Sequence, residues 1–215
     1  MGERLEDFWR EYGQWARTKT RDTSQYGLAY VSGLLRMEAK RNIATIGRQA
    51  GISEQNMQHF ISNSPWAGRE MIAAMQRAVA GRAELAGGML IVDESGDEKS
   101  GDSGAGVMRQ YNGRHKQVEM CQVGVFAAYA QGDIWTWVDG ELFIPERWFS
   151  QAYAIRRRKA AIPAERRYQK KTELGWQMIQ RAQGAGIPFV AVTFDSLYGH
   201  DSWLRDQCRA ADLEY

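Results

Sequence analysis

Residues 89–101 read Met-Leu-Ile-Val-Asp-Glu-Ser-Gly-Asp-Glu-Lys-Ser-Gly, or MLIVDESGDEKSG. Four apolar residues lead straight into two carboxylates, Asp93 and Glu94, and then into a polar, glycine-broken tract with a lysine. A short apolar run bounded by turn residues is a core strand. The acid at its end has two readings. It forms the turn, as Asp and Ser commonly do, or the strand delivers it to a site.

Outward from this run, the chain changes character at Gly87-Gly88. Upstream, residues 1–86 read as helical. RLEDFWREYGQWARTK (4–19) spaces Leu5, Phe8, Trp9, Tyr12 and Trp15 at threes and fours on one helix face. YGLAYVSGLLRM is a second helix. IATIGRQAG and SEQNMQHFIS are two short helices joined at Gly51, with Ser53 an N-cap, at helix-turn-helix spacing; an ordinary helical hairpin fits as well. A further helix is expected at about 67–84.

Downstream, strand signals take over: GMLIVDES, AGVMRQY, VEMCQVGVFAAYA and IWTWVDGELFIP, with Gly113 and Gln131-Gly132-Asp133 at hairpin connections. Residues 147–167 form an irregular basic stretch. A helix fits KTELGWQMIQRAQGAG, a second apolar strand, IPFVAVTF, ends in Asp195, and DSWLRDQCRAADL is a last helix. LEY starts another strand. The predicted fold class is therefore α+β or α/β: a helical region over 1–86, then a mixed sheet with flanking helices over 87–215. A strand reached through a crossover helix runs parallel to an earlier one. If the strand at 188–194 lies beside 89–93, Asp93 and Asp195 emerge side by side.

Composition bounds the function. The chain has 215 residues, enough for a sizeable core without staples, and 25% of them are charged. Cys121 and Cys208 have no metal-ligand spacing and read as reduced thiols of a cytoplasmic protein. The charged, aromatic N-terminus is no signal peptide, and no apolar run approaches a membrane span. There is no GxxxxGK[ST] loop and no GxGxxG after the first strand. The three histidines, His59, His115 and His200, are scattered. A net charge of +2 does not announce a nucleic-acid binder, but its distribution is uneven. Arg156, Arg157, Arg158, Lys159, Arg166, Arg167, Lys170 and Lys171 crowd one region, either as solvated surface or as phosphate contacts.

Two carboxylates held close repel unless a proton or cation sits between them. Hard oxygen ligands without His or Cys suit Mg²⁺ or Mn²⁺, which serve phosphodiester chemistry.

The segments IVDESGDEKSG, GVMRQYNGRHKQVEMCQVGVFAAYA, ELFIPERW and KKTELGWQMIQRAQGAGIPFVAVTFDSLYG resemble insertion-sequence transposases of the DDE superfamily, nearest to the seven-oh-one insertion-sequence group. GVMRQYNG…CQVGVF is the most specific piece, and YVSGLLR and GISEQNMQHFIS extend the resemblance over nearly the whole chain. It implies an RNase H-like catalytic core using Mg²⁺ or Mn²⁺, with DNA (element ends and target) as partner. It also implies a nucleoid-associated cytoplasmic location and allows a homodimer. By position, Asp93 and Asp195 match the first and second catalytic acids and metal ligands. The eight basic residues would meet phosphates, and Gln55 and Asn56 would read bases. The third acid is expected on a helix further downstream than Tyr215, so the core reads as partial at its C-terminal end and the 215-residue chain as inactive. Asp97 and Glu98 depart from the family by making the tract more acidic. The alternatives are a catalytically silent DNA-binding regulator or domesticated remnant, and a nuclease recruiting its third acid internally, for instance Glu141, or from a partner.

Overall fold

The computed structural model describes residues 2–18 and 20–215. Contacts divide the chain into two compact units, the first ending at Ala74 and the second running from Met75 to Tyr215.

In the first unit, α1 (Gly2–Tyr12) gives way to a 3₁₀ turn, Gly13–Ala16. The single helix expected over 4–19 therefore ends early, and its last residue, Lys19, lies outside the described residues. α2 (Ser24–Arg36), α3 (Ile43–Gln49) and α4 (Glu54–Asn63) follow, and α5 (Gly68–Ala80) continues into the second unit. The cap chemistry is local. Asn42 accepts from Thr45 N at 2.9 Å, and Ser53 accepts from Asn56 N at 3.2 Å. Gly51 turns the chain between α3 and α4 with φ +67°. Tyr26, Met37, Ile46, Met57 and Phe60 form the core of this unit, with Trp9, Leu34 and Trp66 packed on it.

The second unit is a five-stranded mixed sheet. β1 (Gly88–Glu98) runs antiparallel to β3 (Gln117–Gln131) and parallel to β5 (Phe189–Phe194). On the other side of β3 lie β2 (Met108–Asn112) and β4 (Ile134–Leu142), one pairing each half of that long strand. The period-2 alternation of β3 buries Val123, Val125, Ala127 and Tyr129 on one face. α7 (Lys171–Gly184) covers that face through Leu174, Met178, Ile179 and Ala182. Leu204 and Cys208 of α9 (Ser202–Ala210) join the same core. Tyr129 Oη accepts from Gly88 N and donates to Leu85 O, which fixes where β1 enters the sheet. Gly88 has no room for a Cβ beside that phenol.

This mixed sheet with flanking helices is compatible with an RNase H-like fold. The basic stretch expected to be irregular holds short 3₁₀ turns and one helix, α6 (Ala154–Lys159). The terminal LEY makes a single parallel bridge, Ala191 to Glu214, rather than a strand. Cys121 and Cys208 are free buried thiols whose pKa values burial pushes up.

Candidate active site

The register of the parallel pair builds the site. Val92 pairs with Phe194, so Asp93, midway along β1 and paired across to Phe126 of β3, and Asp195, the first residue past the end of β5, come together in the parallel pair, near enough for the Asp195 charge to act on Asp93. Both are exposed. Asp93 Oδ1 accepts from Glu94 N at 2.7 Å. Asp195 Oδ1 accepts from Leu197 N at 2.9 Å and Tyr198 N at 3.4 Å, capping the one-turn helix α8 (Ser196–Gly199). The turn-forming reading of a strand-end acid is thus true of Asp195, and it does not compete with a site, because only one oxygen is used. Among the described residues no hydrogen bond or ion pair reaches Oδ2 of either aspartate.

Partial burial pushes the Asp93 carboxyl up. The Glu94 amide opposes the shift, the charges of Asp195 and Glu94 add to it, and Lys171 relieves it. Free carboxylate oxygens on two mutually repelling acids are the donor set that a hard divalent cation satisfies.

Behind this pair lies a residue that the sequence reading did not single out. Glu94 follows Asp93 and so points to the other face of β1, where Lys171 Nζ donates to its Oε1 at 2.8 Å. Both side chains are less than a fifth exposed. Glu94 Oε2 and the Tyr198 hydroxyl are buried without a hydrogen bond. Burial, then the charge and close approach of the Glu94 carboxylate, then the charges of Asp93 and Asp195, push the Tyr198 phenol far above its ordinary range. Glu94 therefore sits where β1, the start of α7 and the turn carrying Asp195 converge. Strand alternation was the available signal: with Leu90 and Val92 inward, Glu94 must also face inward.

The basic residues separate into two groups. Arg156 pairs with Asp102 at 3.0 Å and lies over the rings of Trp148 and Tyr153. Arg157 donates to Trp148 O at 2.6 Å. Arg166 binds Glu141 and Lys171 binds Glu94. These four are partly buried and internally engaged. Arg158, Lys159, Arg167 and Lys170 are exposed, and among the described residues none of them has an ion-pair partner. Glu141 also meets Arg181 at 3.3 Å, while Arg181 reaches fully buried Asp139 at 2.6 Å. Gripped by two guanidiniums, Glu141 is a poor candidate for a spare metal ligand.

On α4, Met57 and Phe60 face inward, whereas Gln55, Asn56 and His59 are exposed. Asn56 and His59 line a groove of about 410 Å³ together with Arg21, Thr18 and Thr20. His115, which the sequence left scattered, belongs to a second group: its ring nitrogen and carboxylate oxygens of Glu98 and Glu119 lie within 4.8 Å of one another. Glu119 is saturated there by Asn112, Gln117 and His115 at 2.6–2.7 Å, which locks the β2–β3 hairpin. Of the two unexpected acids, Asp97 is tied to Lys99 and Glu98 is the free one of that hairpin group.

No solved structure matches the chain significantly. A curated protein of Microchaete diplosiphon, described as a probable transposase for insertion sequence element IS701, is 27% identical over 196 residues. The alignment covers 88% of this chain and 47% of that protein, so the chain spans about half the length of the relative it matches. Among the described residues no helix is long and apolar enough to cross a membrane. A family model described as DDE superfamily endonuclease matches residues 13–215, and the chain therefore belongs to the DDE superfamily of endonucleases, as the segments around Asp93 and Asp195 led us to expect.

Proposed function

We propose that this polypeptide is transposase machinery of the DDE type, acting on DNA in the cytoplasm at the nucleoid. Unit 2 supplies the catalytic half-site, and the α3–α4 pair of unit 1 contacts DNA through Gln55 and Asn56. The observation that carries the reading is the parallel β1–β5 register, which sets Asp93 on β1 beside Asp195 just past the end of β5, each with a free carboxylate oxygen. Asp93 and Asp195 would hold Mg²⁺ or Mn²⁺. When bound, such an ion activates a nucleophile and stabilises a leaving oxygen in phosphodiester chemistry.

The chain's own residues do the rest. The Glu94 and Leu197 amides orient the two carboxylates, and the Lys171–Glu94 pair keeps the N-terminus of α7 against β1. Exposed Arg158, Lys159, Arg167 and Lys170 hold the strand by its phosphates. A homodimer is the simplest arrangement for pairing two element ends.

A second reading, a catalytically silent DNA-binding regulator, draws support from one observation: Glu141, the internal candidate for a third acid, is bound by Arg166 and Arg181. Both readings keep the metal site. Calorimetric titration of the 215-residue protein with Mn²⁺ is expected to give one weak site, with Kd on the order of 10⁻⁴ to 10⁻³ M, the weak end for oxygen-ligand sites. Asp93→Asn and Asp195→Asn should each abolish it. Binding that survives both substitutions removes the paired-acid site.

A further inference from the structure

The face of the sheet opposite α7 carries Asp93, and it also carries aromatic rings that the metal site does not use. On β3, Gln122, Gly124 and Phe126 alternate with the buried residues and so face this side. Phe126 is the cross-strand partner of Asp93. Its ring lies across two glycines: a Cβ at Gly124 would come within 2.7 Å of the ring, and one at Gly140 within 3.0 Å. Any larger residue at either position would tip the ring upright. The ring lies flat along the sheet, half-buried against the two glycines.

Trp137 stands 5.4 Å from Phe126, centroid to centroid, and Trp135 stands 6.1 Å from Trp137. The two indoles are 53% and 65% exposed, unusual for the largest apolar side chain. Beside Phe126 opens a groove of about 530 Å³, floored by Gly124 and Gly140 and walled by Ser95, Gln122 and Arg114. Arg114 has no ion-pair partner among the described residues. The acids at the groove, Asp97 and Glu141, are already paired with Lys99 and with Arg166 and Arg181.

We propose that Phe126, backed by Trp137 and Trp135, is a stacking platform for an unpaired nucleobase of the DNA strand whose phosphate lies at Asp93 and Asp195. A partly exposed ring resting flat on the sheet beside two exposed indoles suits a base, since every base has a π-face and stacking tolerates any sequence. The adjacency also fits. A base hangs from the sugar next to its phosphate, and Phe126 is the residue directly across the ladder from Asp93. Gln122 and Arg114 offer donors to the base edge or the next phosphate. The platform selects DNA that is frayed or single-stranded at the cleavage point.

The inference rests on the DNA reading above, so the test separates the two. Binding is measured for a blunt duplex and for the same duplex with a short single-stranded overhang bearing 2-aminopurine. The wild-type protein is expected to prefer the overhang by roughly tenfold and to quench 2-aminopurine fluorescence, as one stacked base would. Phe126→Leu keeps apolar bulk over the glycines but has no π-face. It should abolish the preference and the quenching while near-UV circular dichroism shows an intact fold. Trp137→Leu, at an exposed position, should reduce the preference severalfold. Equal wild-type affinity for the two DNAs without quenching, or a preference that survives Phe126→Leu, overturns the platform and leaves duplex binding standing. Failure to bind either DNA overturns both readings. Self-association lost in Trp137→Leu, with no overhang preference in the wild type, makes the face a protein interface and also overturns the proposal.

Discussion

Asp93 carries the clearest energetic signature of the site. Its pKa is raised in the folded protein, by burial first and then by Asp195 and Glu94. A carboxyl whose pKa is raised on folding contributes stability that is full below the unfolded pKa and lost as pH rises through the folded one. Ionised Asp93 therefore strains the metal-free protein at neutral pH. Asp93→Asn is expected to raise the melting temperature without metal, by a margin that grows from about pH 4 to about pH 7. Mn²⁺ should then stabilise the wild type and leave the variant unmoved. An equal difference at both pH values would mean that Asp93 does not feel its neighbours. Next to it, Lys171 neutralises Glu94 in a largely dehydrated pair. Lys171→Ala strands a carboxylate whose second oxygen already lacks a partner. A loss of roughly 1–3 kcal/mol is expected by urea denaturation; a loss within experimental error would show that water reaches Glu94 and replaces the lysine.

At the scale of elements, the sequence was most readable where a single pattern decides. Apolar runs gave the five strands, and Gly113 and Gln131-Gly132-Asp133 gave both hairpins. Ser53 as an N-cap before Glu54 and Gln55 gave the start of α4. The nearness of Asp93 and Asp195 was legible on one condition, that the strand reached through α7 lies parallel beside β1, and β5 does. What stayed hidden depends on partners distant in sequence. Eight cationic side chains look alike in the string RRRK…ERR…KK, yet Asp102, Glu141, Glu94 and the carbonyl of Trp148 claim four of them. α6 was missed because its charge density masks any apolar face. The same division yields a prediction. Neutralising Arg158, Lys159 and Lys170 to Gln should weaken binding to all duplexes alike, and each lost phosphate contact should reduce the slope of log K against log salt by about 0.9. Arg156→Gln and Arg166→Gln should cost stability with the slope little changed. A slope insensitive to the first set leaves those residues as solvated surface.

At the scale of the whole molecule, the question is whether 215 residues suffice for chemistry. Holding two ions while charge builds on attacking and leaving oxygens takes more than two carboxylates. Among the described residues, the other acids near the pair are committed. Glu94 faces Lys171 on the far side of β1, and Glu141 is bound by Arg166 and Arg181. The hairpin group of Glu98, His115 and Glu119 is a separate one, with Glu119 saturated by its own neighbours. Residues that act as a unit lose nearly all of their rate when one is missing. In the proposed function DNA binding is assigned instead to α4 and the exposed basic residues, a set that includes none of these acids. A polypeptide of these 215 residues is therefore expected to bind DNA carrying its element ends but neither to nick nor to join it, in Mg²⁺ or Mn²⁺. Supercoiled plasmid gives the readout, with Asp93→Ala as the control for contaminating nuclease. Nicking by the wild type that vanishes in the control would mean that a carboxylate now held in an ion pair is released on binding DNA. Glu94→Gln and Glu141→Gln would then identify which one: the substitution that abolishes nicking while DNA affinity is retained marks the third ligand.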